Sequence, residues 1–592
     1  MARLWKRTGE NMITKLTLRN FKSIKDQTYE FTNFDLLVGR NNSGKSTVLQ
    51  ALAIWQFCMD EFHRATRSGT TGTRILLPEF TALPLPEFNL LWHEKTDRKN
   101  VPIQKEGKTK YSPQLLLIEI DVEWSLPKNE KQNYCVRLRY ESPQAIYAIP
   151  DAGGWKKFRT LDEKSLLPRI AYVPPFSGLE PVEEWRDAGP IRKQVGKAQP
   201  GSVLRNLLVR VLGPQQTNGV ETVSEKSMLN VDDWKELTEA VQRWFSVDLQ
   251  KPVYRSSATK IECEYKYGKK TYDLISGGSG FHQALTLLAF LYGYKPTTIL
   301  LDEPDAHLHV NLQREILDFF KDQTSKRDVQ FLIATHAEEF ARGVDSRQIV
   351  SLLSGSPTRP EDKNKVVVAM ADVSNVEVSQ LLNSPFILYL EGETDERILR
   401  AWARTLGFEK LFLKCCIRTM GGGSKSQMKE AADRHFGGLT QYVKGVRKLM
   451  LFDYDSDEAA FHPPADNPAL FEWKRKNIEN YLFIPDAWIQ AATGGELFHS
   501  AAVQMVKSFF RSENLNLPEG EQWRTLQTNI FKVLDGKKLL FDAEESLFNS
   551  LRKCQTPVIL PREKVASSMK KEEIHQDIID FFEKLRAFSD SA

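Results

Sequence analysis

At 592 residues the chain is too long for a single hydrophobic core, so two to four domains are expected. Charged residues make up 27% and the hydrophobic set 41%, an ordinary globular balance, and a formal net charge of +4 excludes any argument for nucleic-acid binding from global charge. Cys58, Cys135, Cys263, Cys415, Cys416 and Cys554 form no CxxC pair, which argues against a zinc module or a disulfide framework and for reduced thiols in a cytoplasmic protein.

In chain order, the basic opening MARLWKRTGEN is followed by no apolar run of seven, so no secretory signal is expected. Two short strands, ITKLTLRNF and DQTYEFT, precede DLLVGRNNSGKS, which opens the apolar-periodic helix TVLQALAIW. GRNNSGKS fits G-x-x-x-x-G-K-[ST] in the required strand-to-helix context. Gly39 and Gly44 let the backbone wrap phosphates, so that the N–H groups from Asn41, Asn42 and Ser43 to Thr47 face the negative charge. Lys45 would reach the β- and γ-phosphates of ATP, and Ser46 would ligate Mg²⁺.

Residues 60–165 carry alternating runs, LLLIEIDVEW and NYCVRLRY among them, read as strands and loops extending the first sheet. IAYVPPF returns as a buried strand. Over 202–248, SVLRNLLVRVL and VDDWKELTEAVQRWF have helical spacing, the second opened by Asp232 as a cap, and they are read as an arm or a pairing surface. The most apolar run, Ala284 to Leu291, is far short of the roughly 20 residues of a membrane span, so no membrane partner is expected. TTILLDEPDAHLH is a buried strand ending in Asp302, which can hold a metal through water, and Glu303, which can orient the attacking water; a bare Asp-Glu-Pro turn is the alternative.

ISGGSGFHQ lies upstream of that strand, and FLIATHAEEF downstream ends at His336. This ordered set, spread over about 13–350, resembles the ATP-binding-cassette ATPases of the SMC/RecF-like branch. The resemblance implies that Ser276 and Gly278 contact the γ-phosphate of ATP held by another subunit, hence a homodimer, and that His336 acts as a switch. Val310 departs from the family pattern, the residues after Gly278 are unusual, and no glutamine in 60–170 marks a Q-loop.

A second alternation starts at FILYLEG and continues through the helix TDERILRAWARTLG, the strand FLKCCIRTM, the turn GGGSKS, a helix to about Lys448 and the strand KLMLFDYD. Helical crossovers of this length imply a parallel sheet, whose strand ends share one edge. Glu391 and Asp395 after one strand, and Asp453 and Asp455 after another, therefore converge as oxygen ligands for Mg²⁺ or Mn²⁺; Asp395 reads equally as a helix cap. The last hundred residues read as helical.

The order EG, GGG, DxD resembles the Toprim domain of topoisomerases, primases and overcoming-lysogenization-defect (OLD) nucleases. KRKNIENYLF is similar to a segment of Toprim-like phage-defence effectors of the PARIS type, which implies that Glu479 completes the metal site, and LDGKKLLFD is similar to a downstream Gly-Lys that makes Lys537 a phosphate-charge stabiliser. The expected architecture is thus α/β: an ATPase domain over 1–375 with a helical arm near 200–250, a Toprim parallel-sheet domain over 384–485 and a helical part over 486–592.

The whole order resembles OLD-family, Gabija-type and retron-associated effectors, which implies an ATP-gated, metal-dependent DNA nuclease in anti-phage defence. A defence partner such as a reverse transcriptase with its RNA/DNA is compatible with that resemblance. Catalysis would rest on Glu303 and His336 for ATP, and on Glu391, Asp453, Asp455 and Lys537 for phosphodiesters. Two alternatives stay open: an RNA (tRNA) target, or an ATPase scaffold holding a partner with the acidic cluster merely structural. Arg418, Lys425, Lys444, Arg447, Lys448, Lys474, Arg475 and Lys476 are expected to suit a polyanionic substrate.

Overall fold

The computed structural model describes residues 11–65, 72–105, 108–126, 130–212, 231–255, 259–454, 469–494, 500–512, 517–518, 520–554 and 560–590. The chain divides into two compact units, Met1–Met370 and Ala371–Ala592.

The first unit is built on two sheets. Phe34–Val38, Thr298–Asp302 and Gln330–Thr335 are buried at every position, as strands covered on both faces must be. They lie in a parallel sheet whose order is Ile170–Val173, Thr298–Asp302, Gln330–Thr335, Phe34–Val38, Ile349–Ser351. Val38 pairs with Thr335, and Asp302 with Ala334, so the carboxyl ends of these strands form one edge. A second, antiparallel sheet contains Met12–Phe21 and Ile118–Ser125, the latter with alternating burial. The helix Lys45–Arg64 buries Val48, Leu49, Leu52 and Trp55 in the core that joins the two sheets. Trp55 donates its indole N–H to the Tyr134 carbonyl at 2.9 Å and meets Trp124 edge-on.

Of the expected helical arm, residues 213–230 lie outside the described residues. The helices on either side, Leu204–Leu212 and Val231–Phe245, do not project; both pack against the helix Ser279–Tyr294. The second opens at Val231, ahead of the expected cap Asp232. Its neighbour Asp233 is buried, held by Arg327 at 2.7 Å and Lys295 at 3.3 Å.

In the second unit a parallel sheet has the order Cys416–Thr419, Phe386–Leu390, Arg447–Phe452, Leu470–Glu472. The helices Glu393–Leu406 and Lys425–Leu439 follow its first two strands in sequence. The expected strand FLKCCIRTM is shorter than read: Glu409–Lys414 is helical, burying Phe412 against Phe582, and only Cys416–Thr419 is extended. The helices of 485–590 share one core with the sheet, with Trp402, Trp473, Tyr481 and Trp488 wholly buried beside Phe581 and Leu585. Cys58, Cys135, Cys263, Cys415 and Cys416 are free thiols. Among the described residues no helix is long and apolar enough to cross a membrane.

Candidate functional site

Gly44 takes φ +96 at the start of the helix Lys45–Arg64, a conformation that disfavours side chains, and a Cβ on Gly39 would stand 2.4 Å from Ser43 Oγ. The loop between these glycines opens onto a cleft of about 610 Å³. Asn41, Asn42, Gly44, Lys45, Ser46 and Thr47 line it with Glu303 and His336, and so do Lys22 and Ser23. The last two had no signal in the sequence beyond following a strand; Lys22 sits at φ 50 and donates to Gln50 at 2.5 Å.

Burial lowers both lysines to about 8. Lys45 folds back and donates to the Gly39 and Arg40 carbonyls, each at 2.9 Å. Asp302 accepts from Ser46 Oγ at 2.9 Å and from the Tyr172 hydroxyl at 3.0 Å, and burial still pushes its carboxyl upward. Glu303, at φ 52, faces His336 across 3.5 Å, and burial followed by the Lys45 charge lowers that imidazole.

This arrangement has the parts of a phosphate cradle: backbone N–H groups at a helix start, a lysine, and a buried Ser–Asp pair suited to Mg²⁺. Ser276 and Gly278 are exposed and do not line the cleft of their own chain. We expect Lys45→Ala to lower ATP affinity at least tenfold in calorimetry. Tyr172→Phe should leave affinity for nucleotide without Mg²⁺ unchanged while weakening the Mg²⁺ contribution, because only the orientation of Asp302 is lost.

At the carboxyl edge of the second sheet, Glu391 accepts from the Asp453 N–H at 2.8 Å and Asp395 from the Gly392 N–H at 3.0 Å. Asp453 in turn accepts from the Ile478 N–H at 3.1 Å. Glu479, buried in the short helix Ile478–Leu482, accepts from Arg562 at 3.0 Å. Beyond burial, the charges of Glu391 and Glu479 raise both aspartates. Asp395 is pushed up to about 7 by burial, then by Glu479 and Glu391, and Asp453 well above its ordinary range by burial, then by Glu391, Asp395 and Glu479. Burial also raises Glu479, against the opposing charges of Arg562 and Lys537. Both readings of Asp395 hold together, since it caps its helix and belongs to the cluster.

Asn480 joins the two motifs. It is wholly buried, donates to the Phe531 and Leu534 carbonyls at 2.7 and 2.9 Å, and accepts from the Gly536 N–H at 2.7 Å. Gly536 is required there, because a Cβ would stand 2.0 Å from Asn480 Oδ1. This clasp brings Lys537 into the field of Glu479 and Asp395. Arg562, more than eighty residues from Glu479, had no signal in the sequence; it also bonds Asp542 at 2.6 Å. Asp455 lies outside the described residues. Among those described, no three His, Cys, Asp or Glu side chains stand in a metal-holding array, each carboxylate here being turned to a backbone or guanidinium donor. The all-oxygen donor set with mutual repulsion nevertheless suits a hard divalent cation.

Most of the basic residues expected to meet substrate are committed internally. Arg418 bonds Glu377 at 2.9 Å and the Asp372 carbonyl at 3.1 Å, and Lys425 bonds Glu472 at 2.7 Å. Lys448 pairs with Asp433 and Lys474 with Asp577. Arg475 is buried against the rings of Tyr481 and Phe531 and donates to the Asn480 carbonyl.

Residues 12–176 match the family model described as AAA ATPase domain, and residues 211–340 the one described as AAA domain, putative AbiEii toxin, Type IV TA system. Among solved structures, an SMC head bound to the C-winged helix domain of ScpA is 17% identical over 57% of this chain and 94% of its own, with a TM-score of 0.32. The SMC head domain of Pyrococcus furiosus is 14% identical over 58% and 95%, at 0.32, and that of Thermotoga maritima 15% identical over 57% and 94%, at 0.27. No curated protein sequence matches. The first unit thus carries an α/β ATPase domain with an ATP site.

Proposed function

We propose that the protein is an ATP-regulated, divalent-metal-dependent nuclease that hydrolyses phosphodiester bonds of DNA as an effector of a bacterial defence system. The observation that carries this reading is the convergence of Glu391, Asp395, Asp453 and Glu479 at one sheet edge, where burial, then Glu479 and Glu391, push Asp395 up to about 7. Such a cluster is stabilised by an Mg²⁺ or Mn²⁺ ion, which supplies charge neutralisation and an activated water when bound. Glu391 and Asp453 orient the site through the bond between them, and Asp395 and Glu479 complete its negative wall. Lys537 and Arg562, whose charges act on Glu479, are the groups that would compensate a phosphate charge.

Asp455 belongs to this proposal as a further ligand, and Ser276 and Gly278 to a homodimer in which each ATP is shared. The description of one matching family model as a putative toxin is in keeping with an effector role. ATP serves as a gate here, because phosphodiester hydrolysis is already downhill.

The test is incubation of the protein with Mg²⁺ or Mn²⁺ on plasmid DNA and on total RNA, each without nucleotide and with ADP or ATP. Metal-dependent DNA cleavage whose rate changes with nucleotide is expected. Cleavage confined to RNA moves the substrate assignment, and cleavage of neither substrate under any nucleotide removes the nuclease reading.

A further inference from the structure

In the first unit, the residues that lead into the parallel strands do not close over one another. Arg169 precedes Ile170–Val173, and Pro296 precedes Thr298–Asp302. They wall a cavity of about 650 Å³, and a second of about 280 Å³ adjoins it, with Gln56, Asp60, Arg64, Arg169, Arg192 and Pro296 shared between the two. The phosphate loop, Asp302 and Glu303 stand at the other edge of the sheet, and neither cavity is lined by them.

The smaller cavity has a marked charge imbalance. Three guanidinium groups line it, Arg64, Arg169 and Arg192, against the single carboxylate of Asp60. Arg64 is bonded to Glu61 at 2.5 Å, and Asp60 accepts from Gln56 at 2.9 Å. Among the described residues the side chains of Arg169, which is exposed, and of Arg192, which is half-buried and acts on the Glu61 charge, make no hydrogen bond or ion pair. In the larger cavity Asp162 is taken by His63 and Arg327 by Asp233, while Asp328 adds a carboxylate that the smaller cavity lacks.

Apart from Gln56 and Thr81, the remaining walls of the smaller cavity are apolar and aromatic. Phe290 and Tyr294 stack with ring centroids 5.2 Å apart, 13° from parallel. The Tyr294 hydroxyl is buried there with no hydrogen-bond partner. A buried hydroxyl is rarely left unpaired, and two unpaired guanidinium forks match the oxygens of a phosphate.

From these features we infer a second ligand site at the amino edge of the parallel sheet, taking an organic phosphate of nucleoside-monophosphate type. Its phosphate sits on Arg169 and Arg192, and its ring system lies on the aromatic wall within reach of the Tyr294 hydroxyl. The site is independent of the proposed nuclease function. Tyr172, which lines the smaller cavity, bonds Asp302, itself the partner of Ser46 in the nucleotide cleft.

Calorimetry on Lys45→Ala protein, where the phosphate loop is disabled, tests this with AMP and CMP as probes and inorganic phosphate for comparison. At least one nucleotide should bind tenfold or more tightly than phosphate. Arg169→Ala and Arg192→Ala should each weaken it at least tenfold, and Tyr294→Phe, which removes only the hydroxyl, about threefold. No heat with either nucleotide at millimolar concentration, equal affinity for phosphate and nucleotide, or indifference to Arg192→Ala would each overturn the inference.

Discussion

Replacing Glu391 with glutamine is expected to cut metal-dependent cleavage by about 10³-fold while leaving the metal-free protein as stable as before, or more so. The substitution keeps an oxygen to accept from the Asp453 N–H but removes a charge that raises Asp395 and Asp453. The pH dependence carries the sign. Asp395 is raised from its ordinary range to about 7, so the folded protein binds a proton that the unfolded chain releases. That contribution to stability is complete below the ordinary carboxylate range and is lost as pH rises through about 7. Added Mg²⁺ should therefore raise the unfolding temperature of the wild type at pH 8 and do little at pH 5. In Glu391→Gln the loss of metal-free stability with pH should flatten. Thermal scans at the two pH values, with Mg²⁺ and with chelator, check this; a protein whose melting ignores both metal and Glu391→Gln has a merely structural cluster.

Asn480→Ala should be the most damaging single change to the second unit, costing about 3–4 kcal/mol. It strands the Phe531 and Leu534 carbonyls and the Gly536 N–H inside the core, all at once. For a unit of this size that corresponds to a fall of about 10 °C in melting temperature. Gly536→Ala attacks the same clasp from the other side, through a Cβ placed 2.0 Å from Asn480 Oδ1. Lys537→Ala should leave melting unchanged while slowing cleavage. Measuring melting and cleavage for the three variants together separates the clasp from the charge it positions.

The nucleotide cleft was readable along the chain because its parts are local: a glycine loop before a helix, and Asp302 and Glu303 at the end of a buried strand. Lys22 and Ser23 were not readable, since a lysine after a strand looks like any turn until the sheet curls it over Gln50. In the second unit Glu391 and Asp453 followed from strand ends sharing an edge. Arg562 did not, because its bond to Glu479 spans the whole helical region and leaves no periodic trace. The internal partners of Lys448, Lys474 and Arg475 were not readable for the same reason, Asp433, Asp577 and the Phe531 ring being distant or unmarked. Local chemistry is written in spacing, whereas long-range pairing becomes visible only once the core has formed.

Gln283 lies one turn into the helix that begins at Ser279, and its side-chain amide donates to the Glu303 carbonyl at 3.3 Å. Gly280 is pressed against the same segment, with room for no Cβ beside the His307 carbonyl. The start of this helix and the turn that carries Glu303 are thus joined by a hydrogen bond and a close backbone approach. A partner that docks on the exposed stretch around Ser276 is therefore expected to alter the setting of Glu303, and with it any rate of ATP hydrolysis.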